Sequence, residues 1–319
     1  MKYSITQQSV IGTRSSNQDR AGFAERDNSV LMVLADGLGG YAGGELAAET
    51  FVSNILSAYE KIKASFIADP IAFIVLSIAH SHSMINRRAK QHGIKAGDPR
   101  TTGVVCLVQD GFAYWGHVGD SRLYHFRDRK VMTRTEDHST SEQMRAAGGI
   151  SEEDMRLPEL QGQLLRCAGG PKRPVVTLGA ETPLETGDIL LLCSDGVWRA
   201  LPIADISRHL HEDKLELGLD DLLRRGERNA RKDCDNMSAI VLRWEGERTT
   251  TEPLAPDKLG EREQAALWRE ARQARLDKKV RRSRTHRVQK SGRPSLHRDS
   301  IELMIEELES FINNLEGGV

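Results

Sequence analysis

An apolar run that stops at a carboxylate and then turns on glycine constrains this chain more than any other stretch. Residues 30–35 (VLMVLA) are apolar without a break and read as a buried strand. Asp36 follows at once, then Gly37, Gly39, Gly40, Gly43 and Gly44, and a helical pattern begins at Glu45. A carboxylate at the end of a buried strand, on a backbone free to turn sharply, is a poor core residue and a good ligand for a cation. The other segments that deliver oxygen atoms to the same place then decide what the chain does.

Around that stretch, residues 2–10 read as a first strand and 11–20 as a polar loop. Helices are predicted over 44–63 and 71–91, the second opened by Asp69-Pro70 in the favoured N-terminal order. Strands follow at 103–108, 112–118 and 122–127. The first two flank Asp110-Gly111, a strong hairpin signal. Residues 136–174 are polar and irregular with short helical pieces. A buried strand at 188–193, helices over 202–211 and 215–231, and a strand at 238–244 complete the pattern. Strands thus come in antiparallel pairs and helices in two blocks, with no internal repeat. Two stacked sheets with helices outside, an α+β arrangement, fit this better than an alternating parallel fold.

After Trp244 the character changes. Residues 247–260, containing TTTEPLAP, have linker composition, and 261–319 form a charged extension. Twelve lysines and arginines between Arg269 and Arg298 face only Glu270 and Asp277, although the whole chain is nearly neutral at 45 basic against 46 acidic residues. Such a run reads as a solvated face or as a surface for an acidic partner. Residues 300–316 read as an amphipathic helix with Ile301, Met304, Ile305, Leu308, Phe311, Ile312 and Leu315 on one face, a candidate for docking a protein partner. No leader and no membrane span are expected, the longest apolar stretch being broken by Asp69, Pro70 and Ser77. The four cysteines lack CxxC spacing, as in a reducing compartment, so the chain reads as cytoplasmic.

Three further carboxylates sit at strand ends or tight corners as Asp36 does, and a fourth lies in a polar loop. Asp120 lies in GHVGDSRLYHF, Asp195 in LLLCSDGVW and Asp235 in CDNMSAIVL, while Asp19 lies in the loop RSSNQDR. Asp-Gly after a strand is also ordinary turn chemistry. Repetition favours a shared site, because Asp36-Gly37 and Asp195-Gly196 end two of the most apolar strands. Clustered carboxylates need a countercharge, and all-oxygen ligation points to a hard divalent ion, Mg²⁺ or Mn²⁺.

Taken in order, RSSNQD, LADGLGG, GDSRLY, SDGVW and DNMSAIVL, with TTGVV and DHS between them, resemble the motifs of the type 2C family of metal-dependent serine/threonine protein phosphatases, bacterial type. The resemblance covers residues 1–246 as a catalytic domain. It implies a four-layer αββα sandwich, two central antiparallel sheets flanked by helices. It also implies hydrolysis of phosphoserine and phosphothreonine in proteins, by in-line attack of a hydroxide bridging two ions and without a covalent phosphoenzyme. By that resemblance Asp36 bridges two Mn²⁺ or Mg²⁺ ions and Gly37 lends its carbonyl. Asp195 and Asp235 complete the second ion's shell, Asp19 reaches the centre through water, and Asp120 joins Asp195 in holding a possible third ion. Arg14 grips the substrate phosphate. A bacterial serine/threonine kinase or its target is the implied partner, with type VI secretion one possible setting, and residues 138–174 correspond to a flap over the site.

Two residues depart from the family's usual pattern. Leu38 stands where a histidine is thought to protonate the leaving group, which leaves a metal-bound water for that task, and Gln18 stands where glutamate is frequent. Two rival readings are weaker. Residues 37–42 (GLGGYA) match a dinucleotide fingerprint, but the chain lacks the βαβ alternation it requires. A catalytically weak or inactive phosphatase-like binding module would have lost metal carboxylates, and none is missing here. Nucleic acid binding is not favoured.

Overall fold

The computed structural model describes residues 1–38, 43–64, 66–230 and 233–247. These all fall within one compact unit, Met1–Thr249. The glycine corner at 39–42 and the expected extension with its helix over 300–316 lie outside the described residues.

The strands, in chain order, are β1 (Tyr3–Val10), β2 (Asp19–Arg26), β3 (Ser29–Asp36), β4 (Gly103–Gln109), β5 (Phe112–Val118), β6 (Arg122–Arg127), β7 (Lys130–Arg134), β8 (Thr177–Leu178), β9 (Thr182–Pro183), β10 (Ile189–Cys193) and β11 (Met237–Trp244). The helices are α1 (Gly44–Glu60), α2 (Pro70–Gln91), α3 (Thr140–Ala146), α4 (Asp195–Ala200), α5 (Ile203–Leu210) and α6 (Leu215–Ala230). One antiparallel sheet runs β1-β11-β10-β6-β7 and the other β2-β3-β4-β5-β8, with β9 also on β5.

Both faces of each sheet are covered, which explains the unbroken apolar runs. Side chains alternate across a strand, so Leu31 and Val33 of β3 pack with Phe51, Ile55, Ile74 and Ile78 of α1 and α2. Val30, Met32 and Leu34 instead face Leu190, Leu192, Ile240 and Leu242 of the opposite sheet. Leu191, Cys193, Ala239 and Val241 turn outward to Leu219, Leu222 and Leu223 of α6. The result is the expected αββα order of layers.

Local signals place several elements as predicted. Asp69 caps α2 by accepting from the Ala72 amide at 2.9 Å, with Pro70 in the first turn. Asp110 and Gly111 both have positive φ, 52° and 79°, the pair of values that a two-residue hairpin turn demands. Elsewhere the sequence reading is incomplete. β2 begins inside the expected loop of residues 11–20 and continues through residues that show no period, since only its first and fourth residues are buried. β7, β8, β9 and the six-residue α4 are too short or too polar to show a period. Among the described residues no helix is long and apolar enough to cross a membrane.

The end of the sandwich opposite the acidic residues is locked by Asp188. Its buried carboxylate takes His125 Nε2 at 2.9 Å, Arg127 Nε and Nη2 at 2.8 and 2.7 Å, and the Glu185 amide at 2.9 Å. Burial alone would raise this carboxyl, but the Arg127 and His125 hydrogen bonds outweigh it and hold it at about 2. A carboxyl lowered in the folded state stabilises above its unfolded value, and the contribution disappears as pH falls through the folded one. Asp188→Asn should therefore cost on the order of 1–3 kcal/mol at neutral pH, after allowing for water around Arg127. Urea melts across pH should show that the wild type, unlike the variant, gives up this contribution between about pH 4 and pH 2.

Candidate metal centre

Strand ends from both sheets meet at one edge of the sandwich. Asp36 closes β3 and pairs across the ladder with Asp19, the first residue of β2. From the other sheet, Asp195 opens α4 directly after β10, Asp235 precedes β11, and Asp120 precedes β6. The sequence-predicted carboxylates are therefore brought to one edge, close enough to act on one another. Burial, then the charges of Asp19, Asp195, Asp120 and Asp235, push Asp36 well above the usual carboxylate range. Burial raises Asp19 to about 6, with Asp195 and Asp235 adding to it and hydrogen bonds from Ser194 and Ser238 opposing it. Asp120 rises to about 7 through burial, Asp195 and Asp137, against the pull of Arg199 and Arg122.

Each acid has its own support. The Asp36 backbone is fixed by the neighbouring threonines: its amide donates to Thr102 Oγ1 at 3.0 Å, and its carbonyl accepts from Thr101 Oγ1 at 2.8 Å and the Thr102 amide at 2.9 Å. Ser194 joins the two sheets, donating to Asp19 Oδ2 at 2.7 Å while accepting from the Ser238 amide at 3.0 Å. Asp19 Oδ1 is buried without a hydrogen-bond partner. Gly196 cannot carry a side chain, because a Cβ there would strike the Asn236 carbonyl. That close approach brings the Asp195 and Asp235 segments together.

Arg14 reaches the same edge, its Nη2 2.8 Å from Asp235 Oδ2, and remains largely exposed. Asn236 pins its loop by donating to the Ile11 and Ser16 carbonyls and accepting from the Gln18 amide. The Gln18 carbonyl in turn accepts from the Gly37 amide at 3.1 Å. Position 18 thus serves the site through its backbone.

Sequence reasoning missed several contributors. Arg199 contacts both Asp195 and Asp120. Trp198 donates its indole N–H to the Asp120 carbonyl at 2.9 Å. Arg122 lies 3.6 Å over the Trp198 ring and forks onto Asp137 at 2.8 Å through two nitrogens. The first two belong to α4, and a helix that the pattern did not show could not reveal its i,i+4 partners.

Five carboxylates against Arg14 and Arg199 leave a surplus of negative charge, the donors are all oxygen, and one buried oxygen has no partner. That chemistry fits hard divalent cations. Among the described residues no three acidic, imidazole or thiol groups stand in a ready-made ligand geometry, and Arg14 and Arg199 hold three of the acids.

The description "Protein phosphatase 2C" belongs to a family model that matches residues 6–233. Serine/threonine phosphatase stp of Listeria monocytogenes is 30% identical over 199 residues, 62% of this chain and 78% of its own length. Among solved structures, Stp1 from Staphylococcus aureus superposes with a TM-score of 0.70 at 26% identity, covering 77% of this chain and 96% of that one. The catalytic domain of PstP, in complex with two manganese ions, gives 0.64 at 25% identity, covering 76% and 99%.

Mutual repulsion makes a prediction independent of turnover. In EDTA, Asp36→Asn should melt about 2–4 °C above the wild type, the shift that ~1 kcal/mol produces in a domain of this size. Added Mn²⁺ should raise the melting temperature of the wild type more than that of the variant, as read by differential scanning calorimetry.

Proposed function

This chain belongs to the protein phosphatase 2C family, and from that premise we propose how it removes phosphate from serine and threonine. It is a metal-dependent protein serine/threonine phosphatase. The observation that supports a mechanism is the gathering of Asp19, Asp36, Asp120, Asp195 and Asp235 from two sheets at one edge, short of countercharge.

Asp36, Asp195 and Asp235, with the Gly37 carbonyl, would hold two Mn²⁺ or Mg²⁺ ions, and Asp19 would order the water around them. When bound, such a pair supplies the Lewis acidity that makes water a nucleophile near neutral pH and offsets charge in an in-line displacement at phosphorus. Ser194 holds Asp19 so that Oδ1 faces no protein donor. Arg14, exposed on a pinned loop, presents a permanently charged fork to the phosphate oxygens of the substrate. Leu38 has no proton to give, so the leaving alkoxide takes its proton from water.

A phosphothreonine peptide should be hydrolysed with Mn²⁺ or Mg²⁺ and not after EDTA. Asp195→Ala should lower kcat by on the order of 10²–10³, and Arg14→Ala should raise KM about tenfold, a loss of ~1.4 kcal/mol in phosphate binding. Turnover that survives both EDTA and Asp195→Ala would remove this assignment.

Residues 1–246 are taken as the catalytic domain, 247–260 as a linker and 261–319 as the extension. The phosphoprotein it acts on is a serine/threonine kinase or that kinase's target, and the basic run at 269–298 with the apolar stripe of residues 300–316 places the enzyme beside it. Truncation after Gly246 should leave turnover of a small aryl phosphate unchanged and abolish co-purification with the partner. Unchanged co-purification would show that the extension has no such role.

A further inference from the structure

The space between Asp195 and Asp120, where the resemblance implies a third ion, is taken by a side chain of the protein itself. Arg199 stands one helical turn after Asp195 on α4. Its Nε lies 2.9 Å from Asp195 Oδ2 and its Nη2 3.3 Å from Asp120 Oδ2. The three side chains are 17%, 20% and 12% exposed, so this is a largely enclosed group of ions. We propose that Arg199 is a built-in counter-ion that replaces a third divalent cation, so that the enzyme loads two ions and no more. The proposal rests on the two-ion reading above.

Three features fix the guanidinium where it is. The i,i+4 spacing on a helix brings an aspartate and an arginine onto one face. The Trp198 ring lies 4.6 Å from Arg199 Cζ, and the same ring carries Arg122 at 3.6 Å and hydrogen-bonds the Asp120 carbonyl. Turning Arg199 away would therefore give up a cation–π contact as well as two ion pairs. A guanidinium also keeps its charge at every accessible pH.

A third cation does not fit this arrangement. Placed between the two aspartates, it would stand against the Arg199 guanidinium and compete for the carboxylates that hold it, and Arg199 Nε and Nη1 are already buried without an aligned hydrogen bond. An unpaired buried charge is strongly unfavourable. The contact on Oδ2 of Asp195 leaves its Oδ1 for the second ion, so the built-in cation and the two-ion centre are compatible. Asp120 then acts as the acceptor that seats Arg199 rather than as a ligand.

Equilibrium dialysis against Mn²⁺, with metal counted by atomic absorption, tests this on the full chain. The wild type and Asp120→Asn should each hold two ions, as should Arg199→Lys. Arg199→Asp should hold three, returning to two in Arg199→Asp/Asp120→Asn. Three ions in the wild type, an ion lost in Asp120→Asn, or a folded Arg199→Asp that stays at two would overturn the proposal and leave the two-ion centre standing. Fewer than two in the wild type would remove that centre and this proposal with it. If Arg199→Asp does not fold, the wild type and Asp120→Asn decide the matter.

Discussion

Like charges brought close together at the edge of a hydrophobic sandwich are the constraint from which the rest of this structure follows. Asp36 and Asp19 are neighbours because β2 and β3 pair in register. Asp195 and Asp235 are neighbours because Gly196 lets one segment lie against the other. Neither arrangement lowers the energy of the carboxylates, whose burial and mutual repulsion raise Asp36, Asp19 and Asp120 together. The strain is sustained by the apolar layers, where three clusters on both faces of both sheets supply the stabilisation. The site is thus a local instability held in place by a rigid frame, and binding of cations is the event that relieves it.

The same edge is wired into the irregular segment after β7. Arg122, buried in β6, donates to Asp137 through two nitrogens, to the Tyr124 hydroxyl at 2.7 Å and to Glu152 at 2.7 Å. Glu152 also takes Arg134, which reaches Glu142 on α3. Met155 is buried in the core beside these groups. The segment expected to act as a flap is therefore tethered at its middle by ion pairs and an apolar anchor. Because Arg122 stacks on Trp198, and Trp198 holds the Asp120 carbonyl, one buried arginine touches both the tether and the acidic edge.

What could be read from the sequence follows from which physical signals are local. Strands buried on both faces announce themselves as apolar runs, and the Asp110-Gly111 turn is chosen by backbone angles that few other residue pairs accept. Asp36 and Asp195 stood out because each ends such a run. β2 did not, since an edge strand with small and polar residues has little period to detect. Ser194 and Asn236 were overlooked although each sits beside a flagged aspartate, because a hydroxyl or amide that serves another chain segment leaves no trace in its own neighbourhood. Their partners, Asp19 and the loop of residues 11–18, lie at the other end of the domain's sequence.

Two arginines at this edge show how exposure separates roles that residue type alone does not. Arg14 and Arg199 each form an ion pair with an aspartate assigned to the second ion, and both are permanently charged. Arg14 is 58% exposed and makes one such contact, so exchanging Asp235 for an incoming phosphate costs it little desolvation. Arg199 is 17% exposed, spans two carboxylates and stacks on an indole, so leaving its partners would strand a charge in the interior. The first is free to exchange partners, as the proposed phosphate-binding role requires. The second is placed to stay, and its fixed positive charge offsets part of the negative charge that the five acids bring to this edge.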